Sequence, residues 1–384
     1  MRTVAASWIF PVAILLGAAA AEPTADTLFA NGDFPGAKSG YAGQVAQNPR
    51  DLNALIGLAR AAFFENDLDA AEKYANAVLT IDASNATAKH ILDGASQRRA
   101  ILASTTGLTV PTDGVVVPFV ESDPLPLVQL AINGRTATLV LDTGAPDVAL
   151  DPDFAKSAGL TVSGGHTGTF AGGRTAQFQE TTIPTVSAGP IKLHDVKAAV
   201  MPVPGAEFFK GAHLDGFVGT VFLSRFLATI DYPTHRLILR PRLSDAPHTP
   251  SSEIVPFWLV GDHFVFARGS VNGLDALFLV DSGGAGVGFS PEQATIEAAH
   301  LRTFPDRADQ GVGAGGSVTT IPVVADQLCL GNACQTAVQG LYTPQGSPLK
   351  MFPFKAGGIV SHQYLEHYRV TFDFRHMELV LTKP

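Results

Sequence analysis

The sequence predicts a mainly β protein built from two similar halves and preceded by a small all-α region. The first observation is an internal repeat, in which INGRTATLVLDTGA (residues 132–145) returns as VNGLDALFLVDSGG 139 positions later. The second is composition, because 38 glycines, 26 prolines and only 16% charged residues are typical of a turn-rich β protein. The third is residues 25–100, which are rich in alanine and helical in their apolar period.

The helical region is predicted to span residues 22–102. Residues 32–54, GDFPGAKSGYAGQVAQNPRDLNA, are followed 34 positions later by NDLDAAEKYANAVLTIDASNATA. This period of small and aromatic residues resembles tetratricopeptide repeats, which are stacked pairs of helices. Two roles remain open for it. It is either a docking surface for a protein partner or substrate, or a helical cap packed on the rest of the protein.

The N-terminus has the layout of a secretory signal peptide. Arg2 precedes an apolar stretch that ends in small residues, so we expect residues 1–21 to be removed near Ala21. An uncleaved membrane anchor is the alternative, but Pro11 and the short apolar length argue against it. No later segment is long and apolar enough to span a bilayer. The sequence therefore predicts a periplasmic or secreted protein with no stable membrane span after cleavage.

The repeat places the first half at residues 115–240 and the second at 254–384, joined by a polar, proline-rich linker at 241–253. In each half an Asn-Gly hairpin leads into an apolar strand that ends at an aspartate. A helix start with proline at its first position follows each aspartate, at Pro152 and near Pro291. The same β unit is therefore made twice.

Duplicated halves pack naturally around a pseudo-two-fold axis. If the two strand ends meet at that axis, Asp142 and Asp281 face each other and cannot both ionise cheaply, so they share one proton. One carboxyl then acts as general base on a water and the other as general acid. This arrangement suits hydrolysis of an amide without a covalent intermediate.

The residues after each aspartate would support this pair. The hydroxyls of Thr143 and Ser282 can bond the backbone across the axis and lock the two loops together. Gly144 and Gly283 let the chain turn without a side chain that would block the cleft.

The triads Asp142-Thr143-Gly144 and Asp281-Ser282-Gly283 resemble those of aspartic peptidases, and DTGA resembles the retropepsin form. DGFVG at 215–219 is similar to the hydrophobic-glycine segment of bacterial retropepsin-like aspartyl proteases. The resemblance covers about residues 115–384. It implies a two-lobed acid-protease (pepsin/retropepsin-like) barrel fold, a catalytic aspartate from each lobe and a peptide or protein substrate. It calls for no cofactor and no metal.

The resemblance also implies a flap hairpin over the cleft, expected at residues 164–175 in the first lobe and 311–318 in the second. The flap or substrate-binding candidates are Phe170, Gly172, Gly173, Gly315 and Gly316. The sequence departs from the family pattern at three places. Ser361 replaces a glycine, Gly284 follows the second triad where a side chain is commoner, and neither hairpin carries a tyrosine.

The two cysteines are predicted to form a disulfide. If Gly331-Asn332 is a two-residue hairpin turn, Cys329 and Cys334 lie opposite each other on the two strands. An oxidising compartment favours the bond. A metal site would need further ligands nearby in the sequence.

Two other functions fit parts of the pattern. One is a catalytically inactive module of the same fold that binds peptides or proteins, with the helical repeats as docking surface. The other is a sugar kinase or actin-like ATPase, whose duplicated halves also carry Asp-x-Gly loops. Short strands, Asn-Gly hairpins and a signal peptide argue against the kinase. The net charge of −9 makes nucleic acid an unsuitable partner.

Overall fold

The computed structural model describes residues 22–169, 175–203, 209, 213–313 and 316–384. The predicted signal peptide, residues 1–21, lies outside this part of the chain. Within the described ranges, no helix combines the length and the apolar character needed to cross a membrane.

Five helices form the N-terminal region, and each begins at a capped residue. Side chains of Thr24, Asp33, Asp51, Asp67 and Asn85 accept hydrogen bonds from backbone amides of the first turns. The helices are α1 (Ala25–Ala30), α2 (Phe34–Gln47), α3 (Leu52–Phe64), α4 (Leu68–Ile81) and α5 (Ala86–Ala103). This confirms the predicted all-α region.

Small residues let these helices approach one another closely. A Cβ atom at Gly57 of α3 would lie 2.3 Å from the ring of Tyr41 in α2, and one at Gly94 of α5 would lie 2.6 Å from the ring of Phe63. The alanine-rich composition of this region thus follows from helix-to-helix packing.

In lobe one (residues 115–240) the described residues form strands β1 to β10 and two short helices. These are β1 (Val115–Glu121), β2 (Leu127–Ile132), β3 (Arg135–Leu141), β4 (Val148–Leu150), α6 (Pro152–Ser157), β5 (Ser163–Thr169), β6 (Thr175–Ala188), β7 (Ile191–Val200), β8 (Gly216–Val218), α7 (Thr220–Leu223), β9 (Phe226–Asp231) and β10 (Arg236–Pro241). Strands β2, β3, β8, β4, β7 and β6 pair in that order and close on β2. They form a six-stranded barrel.

Lobe two (residues 254–384) repeats this plan, with its first strand beginning two residues earlier. Its elements are β11 (Ser252–Val260), β12 (Phe264–Val271), β13 (Leu274–Val280), β14 (Phe289–Pro291), α8 (Gln293–Ala298), β15 (Arg302–Thr303), β16 (Asp309–Gly313), β17 (Gly316–Leu330), β18 (Ala333–Tyr342), β19 (Gly358–Val360), α9 (His362–Leu365), β20 (Arg369–Asp373) and β21 (Glu378–Thr382), with 3-10 turns at Pro305–Arg307 and Pro348–Met351. Strands β12, β13, β19, β14, β18 and β17 close the second barrel. The predicted mainly β, two-lobed barrel fold is confirmed. The helix start predicted at Pro291 is wrong, because Pro291 pairs with Gly358 as the last residue of β14 and α8 begins at Gln293.

The Asn-Gly hairpins that begin each half adopt the backbone that this dipeptide favours. Asn133 and Gly134 have φ values of 46° and 81°, and Asn272 and Gly273 have 47° and 80°. Two successive residues with positive φ define the turn that matches the twist of adjoining strands. Each hairpin sets the register of the strand that ends at an aspartate.

A six-stranded sheet joins the lobes, in the order β1, β10, β9, β20, β21, β11. At its centre β9 and β20 run antiparallel, with Thr229 opposite Thr371. Their hydroxyls are hydrogen-bonded at 2.8 Å and fully buried. These two residues occupy equivalent positions in the two halves, so the pseudo-two-fold axis passes between them.

The helical region packs on lobe two and shares a hydrophobic core with it. The ring of Phe34 lies 5.4 Å from that of Trp258 and 5.1 Å from that of Phe354. The backbone amide of Lys355 also donates a 2.8 Å bond to the carbonyl of Ala30. Of the two roles expected for this region, the packing supports the cap.

Candidate active site

Each candidate aspartate directly follows a barrel strand that is paired with a neighbouring strand on both sides. Strand β3 runs parallel to β8, and β13 runs parallel to β19, so both are paired on two sides and buried. The backbone amide of Asp142 then bonds the carbonyl of Val218, and that of Asp281 bonds the carbonyl of Val360. The apolar runs before the two aspartates therefore fix where the carboxyl groups emerge.

The two carboxyl groups meet across the axis. A Cβ atom at Gly144 would lie 2.6 Å from the carboxyl carbon of Asp281, and one at Gly283 would lie 2.5 Å from that of Asp142. Each aspartate thus lies directly against the glycine of the opposite loop. Each carboxyl also affects the pKa of the other. Any residue larger than glycine at these positions would separate the pair.

Each carboxyl is also held by its own loop. The amide of Gly144 donates a 2.9 Å bond to Oδ1 of Asp142, and the amide of Gly283 donates a 2.8 Å bond to Oδ1 of Asp281. These bonds fix one oxygen of each carboxyl and leave the other available for the pair.

The hydroxyls of Thr143 and Ser282 lock the two loops together. Oγ1 of Thr143 donates to the carbonyl of Val280 at 3.0 Å and accepts from the amide of Ser282 at 2.9 Å. Reciprocally, Oγ of Ser282 donates to the carbonyl of Leu141 at 2.8 Å and accepts from the amide of Thr143 at 2.9 Å. Both residues are completely buried, so these four bonds are shielded from water.

The electrostatics of the pair favour one shared proton. Desolvation raises the pKa of Asp142 well above its ordinary value, and repulsion from Asp281 raises it further. Desolvation also raises the pKa of Asp281, but the amide of Gly283 and the bond with Asp142 counteract this rise. Because both directions are upward, the pair retains a proton at pH values where an isolated aspartate is ionised.

A compensating exchange of small residues accounts for two of the expected departures from the family pattern. In lobe one a Cβ atom at Gly219 would lie 2.2 Å from the carbonyl oxygen of Ala145. In lobe two the equivalent residues are Ser361 and Gly284, and a Cβ atom at Gly284 would lie 2.5 Å from Oγ of Ser361. Each lobe therefore places one glycine and one larger residue in contact. In lobe one the glycine lies in the hydrophobic-glycine segment (Gly219), whereas in lobe two it follows the aspartate triad (Gly284).

Sequence reasoning missed several residues that support the lobe-one loop. Thr220 donates a 2.8 Å bond to the carbonyl of Thr143. The guanidinium of Arg225 holds both carboxylate oxygens of Asp147, at 2.9 and 2.8 Å. The only sequence signal for this ion pair was the presence of two charges within otherwise apolar segments.

Lobe two has a different residue at the position equivalent to Thr220. His362 occupies the position equivalent to Thr220, and its ring lies 5.3 Å from that of Tyr232. Both side chains are buried, and within the described part of the chain Nδ1 of His362 and the hydroxyl of Tyr232 have no hydrogen-bond partner. Burial lowers the pKa of His362 to about 4, so the imidazole is neutral over most of the pH range.

Most of the flap candidates, Phe170, Gly172, Gly173 and Gly315, lie outside the described residues. Gly316 begins β17, opposite Gly313 at the end of β16, with a φ of 108°. In lobe one the last described pair of the β5–β6 hairpin is Thr169 with Thr175. The last described pair of each hairpin falls within the range expected for its flap.

The two cysteines are joined by a disulfide. Cys329 in β17 lies opposite Cys334 in β18, and the two-residue turn between the strands is Gly331-Asn332. The disulfide joins the two strands directly beside the turn of this hairpin.

Comparisons with known proteins agree with this architecture. Residues 128–222 and 267–352 each match the family model described as aspartyl protease, and residues 28–92 match that of the tetratricopeptide repeat. A search among curated proteins gave no match. The two lobes are therefore tandem members of the aspartyl protease family, and tetratricopeptide repeats precede them.

The contact between Gly284 and Ser361 yields a test of the compensating exchange. We expect Gly284→Ala to lower the free energy of unfolding by about 1–3 kcal/mol, because the new methyl group overlaps the serine side chain. Adding Ser361→Gly should recover most of that loss, since the double variant reproduces the arrangement of lobe one. Urea unfolding of the two single variants and the double variant measures the coupling. Additive losses would contradict the exchange.

Proposed function

We propose that the protein is an exported aspartic endopeptidase. The aspartyl protease family of both lobes supports a protease-type function at the coarser level. The observation that carries the finer proposal is the contact of Asp142 and Asp281 across the axis, with each carboxyl against the glycine of the opposite loop. Aspartates brought together in this way suit acid–base catalysis on a water held between them.

The proposed reaction begins from the singly protonated pair, since burial raises the pKa of both carboxyls. In one of its two microstates the proton lies on Asp142 and Asp281 is ionised. The ionised Asp281 takes a proton from water as the water oxygen attacks the peptide carbonyl carbon. Asp142 gives its proton to the carbonyl oxygen, so that a neutral gem-diol forms. As the gem-diol collapses, one of its hydroxyls gives its proton to the ionised Asp142, the C–N bond breaks, and the protonated Asp281 delivers its proton to the leaving nitrogen. One carboxyl proton then remains on the pair.

The amides and hydroxyls around the pair support this role through rigidity. The four bonds between Thr143 and Ser282 prevent the two loops from moving apart. Preorganised groups need little rearrangement when charge shifts during the reaction. The pair can therefore exchange a proton without a change in loop position.

Substitution of the aspartates tests the proposal. Asp142→Asn and Asp281→Asn should each lower peptide cleavage by at least about a thousandfold, because the pair loses either its acid or its base. Asp275→Asn is the matched control, since Asp275 is an exposed aspartate of lobe two. Cleavage of a diverse peptide pool is followed by mass spectrometry, and thermal unfolding checks the fold.

Two results would count against this function. Wild-type rates in either Asn variant would remove the pair from the mechanism. No cleavage by the wild-type protein at any pH, together with peptide binding, would favour the inactive binding module instead.

The pH dependence provides a second test. Desolvation raises the pKa of both aspartates, so the singly protonated pair persists to higher pH than two free aspartates would allow. Activity should fall at low pH, where both carboxyls are protonated, and fall again as pH rises through the raised pKa, where both are ionised. We expect a bell-shaped profile of kcat/KM between pH 3 and 8 with an acidic optimum. A rate that climbs steadily beyond neutral pH would contradict the shared proton.

Export is part of the same proposal. The N-terminal layout around Arg2 and Ala21 supports it, as does the Cys329–Cys334 disulfide, a bond that persists in oxidising compartments. In a bacterial host we expect the mature chain in the periplasm or medium, with an N-terminus near Glu22. Intact mass of the recovered protein checks this. A chain retained in the cytosol with its first 21 residues intact would contradict export.

A further inference from the structure

One buried arginine connects the helical region to lobe two. Arg98 of α5 is only 5% exposed, and its guanidinium stacks 3.8 Å from the ring centre of Phe63. Nη1 donates to the carbonyl of Phe63 at 2.6 Å and to Oδ1 of Asn66 at 3.2 Å. Nη2 donates to the carbonyls of Leu259 and Gly261, at 2.7 and 2.6 Å. One guanidinium therefore donates to one backbone carbonyl and one side-chain oxygen of the helical region, and to two backbone carbonyls of lobe two.

The carbonyls of Leu259 and Gly261 lie at the end of β11, beyond the part of this strand that pairs with β21. Strand β21 pairs with β11 only from Ser252 to Pro256, and the amide of Phe257 makes the last bond to that side. Beyond that point the edge of β11 turns toward the helical region. Arg98 supplies the donors that a neighbouring strand would otherwise supply, so the end of β11 is held by the helical region.

The turn that follows β11 stands beside a candidate catalytic carboxyl. In the antiparallel pair of β12 and β13, Phe266 lies opposite Leu279. Continuing this register by two residues places Phe264 opposite Asp281. The turn between β11 and β12, residues 261–263, is therefore at the end of lobe two from which Asp281 emerges.

Two side chains of this turn act on the site. His263 is buried and bonds to Asp262. Burial raises the pKa of Asp281, whereas the charge of His263 opposes that rise. Burial likewise raises the pKa of Asp147 in lobe one, the bound Arg225 lowers it, and Asp262 adds to the rise. The turn thus carries charges that affect carboxyls in both loops.

We propose that Arg98 is a positioning residue through which the helical repeats hold the 261–263 turn against the aspartate pair. Burial lowers the pKa of Arg98 to about 9, so the guanidinium keeps its charge throughout the acidic and neutral range. The helical region thereby acts on the cleft through this turn. The consequence for catalysis rests on the proposed function, whereas the effect on the turn does not.

The test compares Arg98→Met and Arg98→Lys with Arg99→Met. Arg99 is the adjacent residue, but it is exposed and pairs with Asp69 and Glu72 inside the helical region. Two quantities are measured on the full chain. Hydrogen exchange by mass spectrometry reports on peptides covering residues 257–266 and, for comparison, 119–128 of lobe one. Peptide cleavage gives kcat and KM.

We expect exchange in 257–266 to become about tenfold faster in Arg98→Met and unchanged in 119–128. The kcat should fall about tenfold or more with a smaller change in KM, because a displaced turn disturbs the pair more than substrate binding. Arg98→Lys should give a smaller effect of the same kind, since lysine keeps the charge but reaches fewer of the four acceptors. Arg99→Met should leave both quantities within twofold of wild type.

Unchanged exchange in 257–266 would overturn the proposal, as would equal loosening of both peptides or equal effects at positions 98 and 99. If Arg98→Met does not fold, Arg98→Lys decides by the same criteria. If the wild-type protein shows no cleavage, the proposed peptidase function fails, but the exchange data still decide whether Arg98 holds the turn.

Discussion

The contact between Asp142 and Asp281 is the constraint on which the rest of the molecule depends. Two carboxyls at this distance repel each other when ionised, so the surrounding chain must hold them together and the pair must keep a proton. The four hydrogen bonds of Thr143 and Ser282 hold the two aspartate loops together at the axis. The central strands of the sheet that joins the lobes also meet at this axis, where the hydroxyls of Thr229 and Thr371 are hydrogen-bonded.

The two aspartate loops are nearly symmetric at the axis, but the residues that lie behind them differ between the lobes. Lobe one uses Thr220 and a buried Asp147–Arg225 ion pair, whereas lobe two has the neutral His362 and the arginine bond from the helical region. The pKa directions of the two carboxyls are set at the pair itself, chiefly by desolvation, by the loop amides and by the effect of each carboxyl on the other.

The sequence was sufficient to predict the two barrels, the helical region and the aspartate pair, because the repeat and the local turn signals are contained in short segments. It could not predict that Phe34 packs on Trp258 and Phe354, since this packing joins segments more than two hundred residues apart. Arg98 gave no signal either, because an arginine in a polar helix is usually exposed. The compensating pair Gly284 and Ser361 was visible only as two separate departures, and its logic needed the spatial contact.

The most direct test of the central claim is a titration of the two carboxyls by ¹³C NMR on protein labelled at aspartate, with Asn variants used for assignment. The account predicts that Asp142 and Asp281 titrate together, with one proton retained well above the usual aspartate range near pH 4. We also predict that Asp142→Asn replaces this joint titration with that of a single carboxyl, Asp281, whose pKa changes because its bond with Asp142 is lost. Two independent titrations near the usual value, unaffected by substitution of the partner, would contradict the account.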